Sequence, residues 1–214
     1  MKKLKTPQWE RPDTGVVQEA AAVLRSGGVI VYPTETLYGL GADARNPEAV
    51  RRVFEIKKRP PDRAVTVILG SEDMLDEVVS SVPELARELT DVFWPGPLTL
   101  VLPARSDLPK LLLAGGTTIG VRVPGDYLCR ALSKELGGPI TATSANISGG
   151  PDLIDPGDIE RVLGEEVDLL IDAGPARSRV PSTVALVKDR SVRVLREGRI
   201  RVEELRKVVP ELEE

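Results

Sequence analysis

Apolar residues recur along this chain with two periods, and segments of the two kinds alternate. Residues 16–25 carry apolar side chains at helical spacing, and Gly27-Gly28 stops the run, which predicts a helix. Residues 29–32, Val-Ile-Val-Tyr, form a continuous apolar run closed by Pro33, the pattern of a buried strand. Asn46-Pro47-Glu48 is a helix start, with Asn46 as N-cap and Pro47 in the first turn, and the helix extends to about Lys57. Beyond it the pattern predicts a strand over 66–69, a helix over 83–93 and strands over 98–102 and 119–123. A helix over 126–136 and a short strand over 140–142 follow. Further strands are expected over 167–171, 183–187 and 192–195, then a closing helix over 202–208. Interleaved strands and helices make the class α/β. The late strands have little helix between them, which predicts some antiparallel pairing and hence a mixed sheet. No repeat or linker interrupts the pattern, so a single domain is expected.

Composition narrows the chemistry. The chain has 214 residues, 41% of them hydrophobic and 29% charged, enough for a sizeable core under a solvated surface. The formal net charge of −4 argues against a protein held to nucleic acid by overall charge, although a local basic patch remains open. One cysteine, Cys129, rules out a disulfide within the chain and a cysteine-based zinc site. No histidine is present, which removes the Ser-His-Asp triad and a histidine general base. Chemistry must therefore rest on Lys, Arg, Asp, Glu, hydroxyls and backbone amides. Residues 1–11 are polar and basic without an apolar segment, unlike a signal peptide. The longest apolar runs, such as 65–69 and 98–102, are far short of a membrane span. The expected location is cytoplasmic.

Three stretches could carry a site. Tyr32-Pro33-Thr34-Glu35-Thr36-Leu37-Tyr38-Gly39-Leu40-Gly41 places hydroxyls, an acid and two glycines after a strand, where α/β sheets put ligands. It lacks the Gly-Lys-Ser/Thr ending of a P-loop, and a turn whose hydroxyls cap a helix reads equally well. Lys57-Lys58-Arg59-Pro60-Pro61-Asp62-Arg63 holds four cations in seven residues. They either complement a helix C-terminus or clamp a phosphate; in an extended segment Lys57 and Arg59 point the same way. Residues 141–150, Thr-Ala-Thr-Ser-Ala-Asn-Ile-Ser-Gly-Gly, offer small donors suited to a polar ligand or phosphate oxygens, or a Ser/Thr turn. Arg122 at a strand end could fork onto a carboxylate or pair with a structural acid. Ser182, and Arg196 at the end of the last strand, could contact a ligand or serve only the fold.

Seven motifs occur in order: Tyr-Pro-Thr-Glu-Thr-x-Tyr-Gly-Leu-Gly, Lys-x-Arg-Pro, Trp-Pro-Gly-Pro-Leu-Thr, Val-Arg-x-Pro, Thr-Ser-Ala-Asn-x-Ser-Gly, Pro-Ser-Thr-Val and Arg-x-Gly. Together they resemble the YrdC-type threonylcarbamoyl-AMP synthases, in their short, single-domain form. The resemblance covers about 15–205, leaving 1–14 as an N-terminal extension and 206–214 as a tail. It implies an open twisted sheet with flanking helices and a concave, positively lined cavity. The implied reaction joins L-threonine, bicarbonate and ATP, with Mg2+, into threonylcarbamoyl-AMP and pyrophosphate. A tRNA threonylcarbamoyl-transferase complex then passes the group to a tRNA adenosine, and weak RNA binding is a possible accompaniment. By motif position Lys57 and Arg59 are the implied catalytic phosphate contacts. Ser144, Asn146, Ser182 and Arg196 are the implied further nucleotide contacts. Thr34, Tyr38 and Arg122 are the implied threonine contacts. One departure is visible: Val65-Thr66 stands where many relatives have Pro-Leu. Competing readings are a double-stranded RNA-binding module without catalysis, which the 3% aromatic content disfavours, and a carbamoyl-adenylate domain of hydrogenase maturation.

Overall fold

The computed structural model describes residues 1–6, 13–210 and 212–213. Residues 7–12 of the expected N-terminal extension, and 211 and 214 of the expected tail, lie outside the described residues. In chain order the elements are β1 (Lys2–Lys5), α1 (Thr14–Arg25), β2 (Ile30–Tyr32), β3 (Gly39–Gly41), α2 (Pro47–Lys57) and β4 (Val67–Ile68). A 3-10 helix (Glu72–Glu77), α3 (Glu84–Phe93), β5 (Leu98–Pro103), β6 (Thr118–Arg122), α4 (Tyr127–Leu136), β7 (Ile140–Thr141) and β8 (Thr143–Ser144) follow. The chain continues through α5 (Pro156–Leu163), β9 (Leu169–Asp172), β10 (Thr183–Lys188), β11 (Ser191–Arg196), α6 (Val202–Val208) and β12 (Leu212–Glu213).

The α/β class holds, and the strands divide between two mixed sheets. One runs β1-β9-β2-β3-β8, the other β12-β11-β10-β5-β6-β4-β7. β2 pairs parallel with β9 and antiparallel with β3; β10 pairs parallel with β5 and antiparallel with β11. The expected antiparallel pairing among the late strands is thus present. β7 and β8, separated by Ala142 alone, pass the chain from the seven-stranded sheet to the five-stranded one.

Period-two alternation explains how each sheet is covered. In the five-stranded sheet Ile30, Tyr32, Leu169 and Ile171 pack with α1 and α4, whereas Val29, Val31 and Leu170 pack with α2 and α5. Both faces are buried, so β2 reads as a continuous apolar run. In the seven-stranded sheet one face, with Leu98, Leu100, Ile119, Val121, Ala185 and Val187, packs against residues of α3 and α6. The intervening positions Thr99, Arg122 and Val184 face a cavity instead. Helix starts follow the local code: Asn46 Oδ1 accepts from the Glu48 and Ala49 amides, and Asp126 Oδ1 caps α4 through the Leu128 amide.

β3, β8, α5, the 3-10 helix and the strands β1 and β12 were not expected from the sequence. Glycine is depleted in strands, which hid β3. Its glycines are there to make room: a Cβ at Gly41 would lie 2.6 Å from Tyr32 Cε1 and 2.9 Å from Ile140 Cγ2. The Tyr32 ring occupies that space, and its hydroxyl donates to the Thr141 carbonyl at 3.0 Å. Gly41→Ala is expected to cost about 1–3 kcal/mol by overpacking. Urea unfolding would read this directly, and an unchanged midpoint would contradict it.

Candidate active site

A cavity of about 300 Å3 opens between the two sheets. Its floor comes from the open face of the seven-stranded sheet: Thr99 on β5, Arg122 on β6, Ser182 and Val184 at the start of β10, and Arg196 at the end of β11. The facing wall comes from the loop joining β2 to β3, with Thr34, Thr36, Leu37 and Tyr38, and from Thr143 and Ser144 on β8. The segment after α2 closes one side with Arg59, Ala64, Val65 and Thr66. Among the described residues three guanidinium groups line the space against one carboxylate, Asp152, so it suits an anion.

Each arginine is held by part of its donor set. Arg59 Nε donates to the Arg63 carbonyl at 2.9 Å and Nη2 to the Ala64 carbonyl at 2.7 Å. Arg196 Nε and Nη2 donate to the Ser182 carbonyl at 3.2 and 2.9 Å. Arg122 Nη1 donates to Glu35 Oε1 at 3.0 Å. A guanidinium has five donors, so all three keep N–H groups for a ligand. Burial lowers the Arg59 and Arg196 guanidinium groups, and the neighbouring charges of Arg63 and Arg122 respectively push the same way. A bound anion would relieve both costs.

The hydroxyls are pre-oriented. Thr34 Oγ1 donates to the Leu37 carbonyl at 2.6 Å and accepts from the Thr36 amide at 3.1 Å. The Tyr38 hydroxyl donates to the Gly174 carbonyl at 2.6 Å and accepts from the Ala173 amide at 3.1 Å, which fixes its ring in the wall. Ser144 Oγ donates to Asn146 Oδ1 at 2.7 Å, and Ser182 Oγ pairs with Thr99 Oγ1 at 2.9 Å.

Comparison with known proteins adds a name to this geometry. The family model Sua5_yciO_yrdC, described as "Telomere recombination", matches residues 22–198. The chain is 37% identical over 203 residues to the threonylcarbamoyl-AMP synthase of Pyrococcus abyssi, covering 95% of this chain and 60% of that relative. It is 36% identical over 184 residues to the threonylcarbamoyl-AMP synthase of Vibrio cholerae, covering 85% of this chain and 97% of that one. The crystal structure of P. abyssi Sua5 complexed with L-threonine superposes with a TM-score of 0.94 at 35% identity, covering 99% of this chain and 62% of that chain. The chain belongs to the Sua5/YciO/YrdC family. It spans about three fifths of the length of the P. abyssi protein.

Of the residues that the family resemblance singles out, the structure brings Thr34, Tyr38, Arg59, Arg122, Ser144, Ser182 and Arg196 to one cavity. Lys57 and Asn146 lie behind its wall. The expectation that Lys57 and Arg59 point the same way fails, because Lys57 is the last residue of α2 and Lys58 caps it in the left-handed conformation at φ 49°. The chain turns between them, so Lys57 goes inward, 1% exposed, and Arg59 reaches the cavity. The Lys57 ammonium donates to the Ser144 carbonyl, to the Asn146 carbonyl at 2.8 Å and to Asn146 Oδ1 at 2.9 Å. Burial pushes it down to about 8, with the Arg59 charge adding to the effect. The three oxygens oppose that shift, because only the protonated amine has three donors. Asn146 Nδ2 donates to the Gly150 and Pro151 carbonyls. This Lys-Asn pair therefore builds the loop that presents Ser144.

Thr36, Thr66, Thr99 and Asp152 were not singled out from sequence. Thr99 was legible in principle, as a polar position alternating with Leu98, Leu100 and Leu102. The departure at Val65-Thr66 falls in the cavity wall; Gly120 gives Thr66 room, since a Cβ there would lie 2.5 Å from Thr66 Cγ2. Lys57→Met would leave the Asn146 carbonyl without its donor and take one donor each from the Ser144 carbonyl and Asn146 Oδ1, which keep the Asn146 amide and the Ser144 hydroxyl, and a loss of about 1–3 kcal/mol in unfolding free energy is expected. Calorimetry of the variant checks this; a melting temperature equal to the parent's would remove the tether from the account.

Proposed function

We propose that this protein is an L-threonylcarbamoyladenylate synthase, a nucleotidyltransferase that joins ATP, L-threonine and bicarbonate and releases pyrophosphate. The observation that carries the reading is the convergence of Arg59, Arg122 and Arg196 with the hydroxyls of Thr34, Ser144 and Ser182 on one cavity. Relatives named for this activity support it. Bicarbonate takes up a proton and loses water to give CO2, and the neutral amine of threonine adds to it, releasing a proton to solvent and leaving a carbamate. A carbamate oxygen attacks the α-phosphorus, the bond to the β-phosphate oxygen breaks, and pyrophosphate leaves with the electron pair. Both reactants are anions, so repulsion is the obstacle and fixed cations address it. Arg59 and Arg196 offset phosphate charge, Ser144 and Ser182 donate to phosphate oxygens, and Arg122 takes the threonine carboxylate in a pocket walled by Thr34 and Tyr38. No side chain need act as a strong base, which suits a chain without histidine.

Among the described residues no group of three or more His, Cys, Asp or Glu gathers to hold a metal. Mg2+ fits here as the nucleotide's own counterion, with Asp152 the carboxylate in reach of the cavity, and it would neutralise the leaving pyrophosphate. The product is destined for a tRNA threonylcarbamoyl-transferase, and the reaction belongs in the cytoplasm. Selecting threonine over serine rests on one methyl, worth roughly 1–3 kcal/mol.

Labelled pyrophosphate should exchange into ATP only when L-threonine and bicarbonate are both present. ATP binding without such exchange would contradict the proposal. Arg59→Ala is expected to slow exchange about 10²–10³-fold while moving the melting temperature by no more than a few degrees. Parallel loss of fold and activity would sink the phosphate role of Arg59.

A further inference from the structure

We infer that Glu35 is a positioning residue: it orients the Arg122 guanidinium toward the anionic end of the amino-acid substrate, and that is why a buried acid stands beside an anion-binding cavity. This rests on the proposed function for the identity of the substrate, but not for the geometry. Glu35 sits between the two threonines of the loop after β2, and it is absent from the cavity lining. Its Oε1 accepts from Arg122 Nη1 at 3.0 Å and from the Gly125 amide at 3.3 Å. The pair is well shielded, with side chains 7% and 17% exposed. Oε2 is buried with no partner among the described residues.

Those contacts distinguish orientation from simple packing. A carboxylate paired with an arginine frequently forms the two-bond fork with both oxygens. Here one oxygen holds one nitrogen, and the remaining N–H groups of Arg122 are left for the cavity. The same oxygen fastens Arg122 to the turn at Gly125. That turn is itself fixed by Arg130 Nη1, which donates to the Pro124 and Gly125 carbonyls at 2.7 Å each. The Glu35 carbonyl accepts from Arg199 Nη1 at 3.0 Å, so its backbone is anchored separately. A second buried oxygen left unpaired is a cost that the loop bears for keeping the acid. The acid is explained if its charge and one well-aimed acceptor hold Arg122 in the working direction.

The test compares Glu35→Ala and Glu35→Gln with the parent. For Glu35→Ala the expected result is an L-threonine KM raised about tenfold or more, with kcat and the KM for ATP within about twofold. Glu35→Gln should recover part of the threonine KM, because its amide oxygen can accept from Arg122 and Gly125 but carries no charge. An unchanged threonine KM in Glu35→Ala, or equal increases in both KM values alongside a lower melting temperature, would overturn the inference. Crystal structures of both variants decide the geometry whether or not the protein is active. The guanidinium should leave its place in Glu35→Ala and keep it in Glu35→Gln; Arg122 unmoved in Glu35→Ala refutes the positioning role. Failure of the parent to exchange pyrophosphate would instead refute the synthase reading alone.

Discussion

The Lys57 ammonium ties three oxygens of residues 144–146 to the end of α2, and the Lys57 carbonyl accepts from the Ser148 amide at 2.7 Å. Side chain and backbone of one residue thus hold a loop that has little apolar substance of its own. A buried cation is costly unless every donor is used, and here all three are. The consequences spread outward. Ser144 is held against β3, which pairs with β8, and the Ser144 hydroxyl is aimed by Asn146. On the other side of Lys58 the chain reverses, which delivers Arg59 to the cavity that Lys57 stands behind.

The second constraint is the alternation of side chains in the seven-stranded sheet. Every other residue of β5, β6 and β10 enters the core with α3 and α6, and the residues between them lie on the opposite face, part of which borders the cavity. Those positions are where Thr99, Arg122 and Val184 meet the cavity. The site is therefore a sheet face left uncovered at the junction with a second sheet. Its cations are steadied by backbone carbonyls rather than by acids, save for Arg122 and Glu35. Carbonyls hold a guanidinium in place without cancelling its charge, so the cavity stays positive while the chain as a whole is negative.

Much of this was legible in the residues. The helices α1 to α4, the strands of the core and the split between apolar and polar periods followed from pattern, because buried elements leave the strongest periodic trace. Asp155-Pro156 carries the same start signal as Asn46-Pro47, yet α5 was passed over. β3 was hidden because its glycines answer to the Tyr32 ring rather than to strand propensity. The motifs placed seven side chains at the cavity. What spacing could not show was the direction of Lys57, which one left-handed residue after it decides, or the pairing of Glu35 with Arg122 from 87 positions away in the chain. The first turns on the backbone of a single residue and the second on a tertiary contact, and neither leaves a trace in the spacing.

The account holds that the loop of residues 144–146 is built before substrate arrives and that the arginines of the open sheet face receive the phosphates and the carboxylate. A crystal structure with a non-hydrolysable ATP analogue and L-threonine tests this most directly. The account predicts phosphate oxygens within hydrogen-bond reach of Arg59, Arg196 and Ser144, the threonine carboxylate on Arg122, and the three Lys57 bonds intact. Ligands seated outside the cavity, or a Lys57 ammonium released from the loop to reach a phosphate, would contradict it.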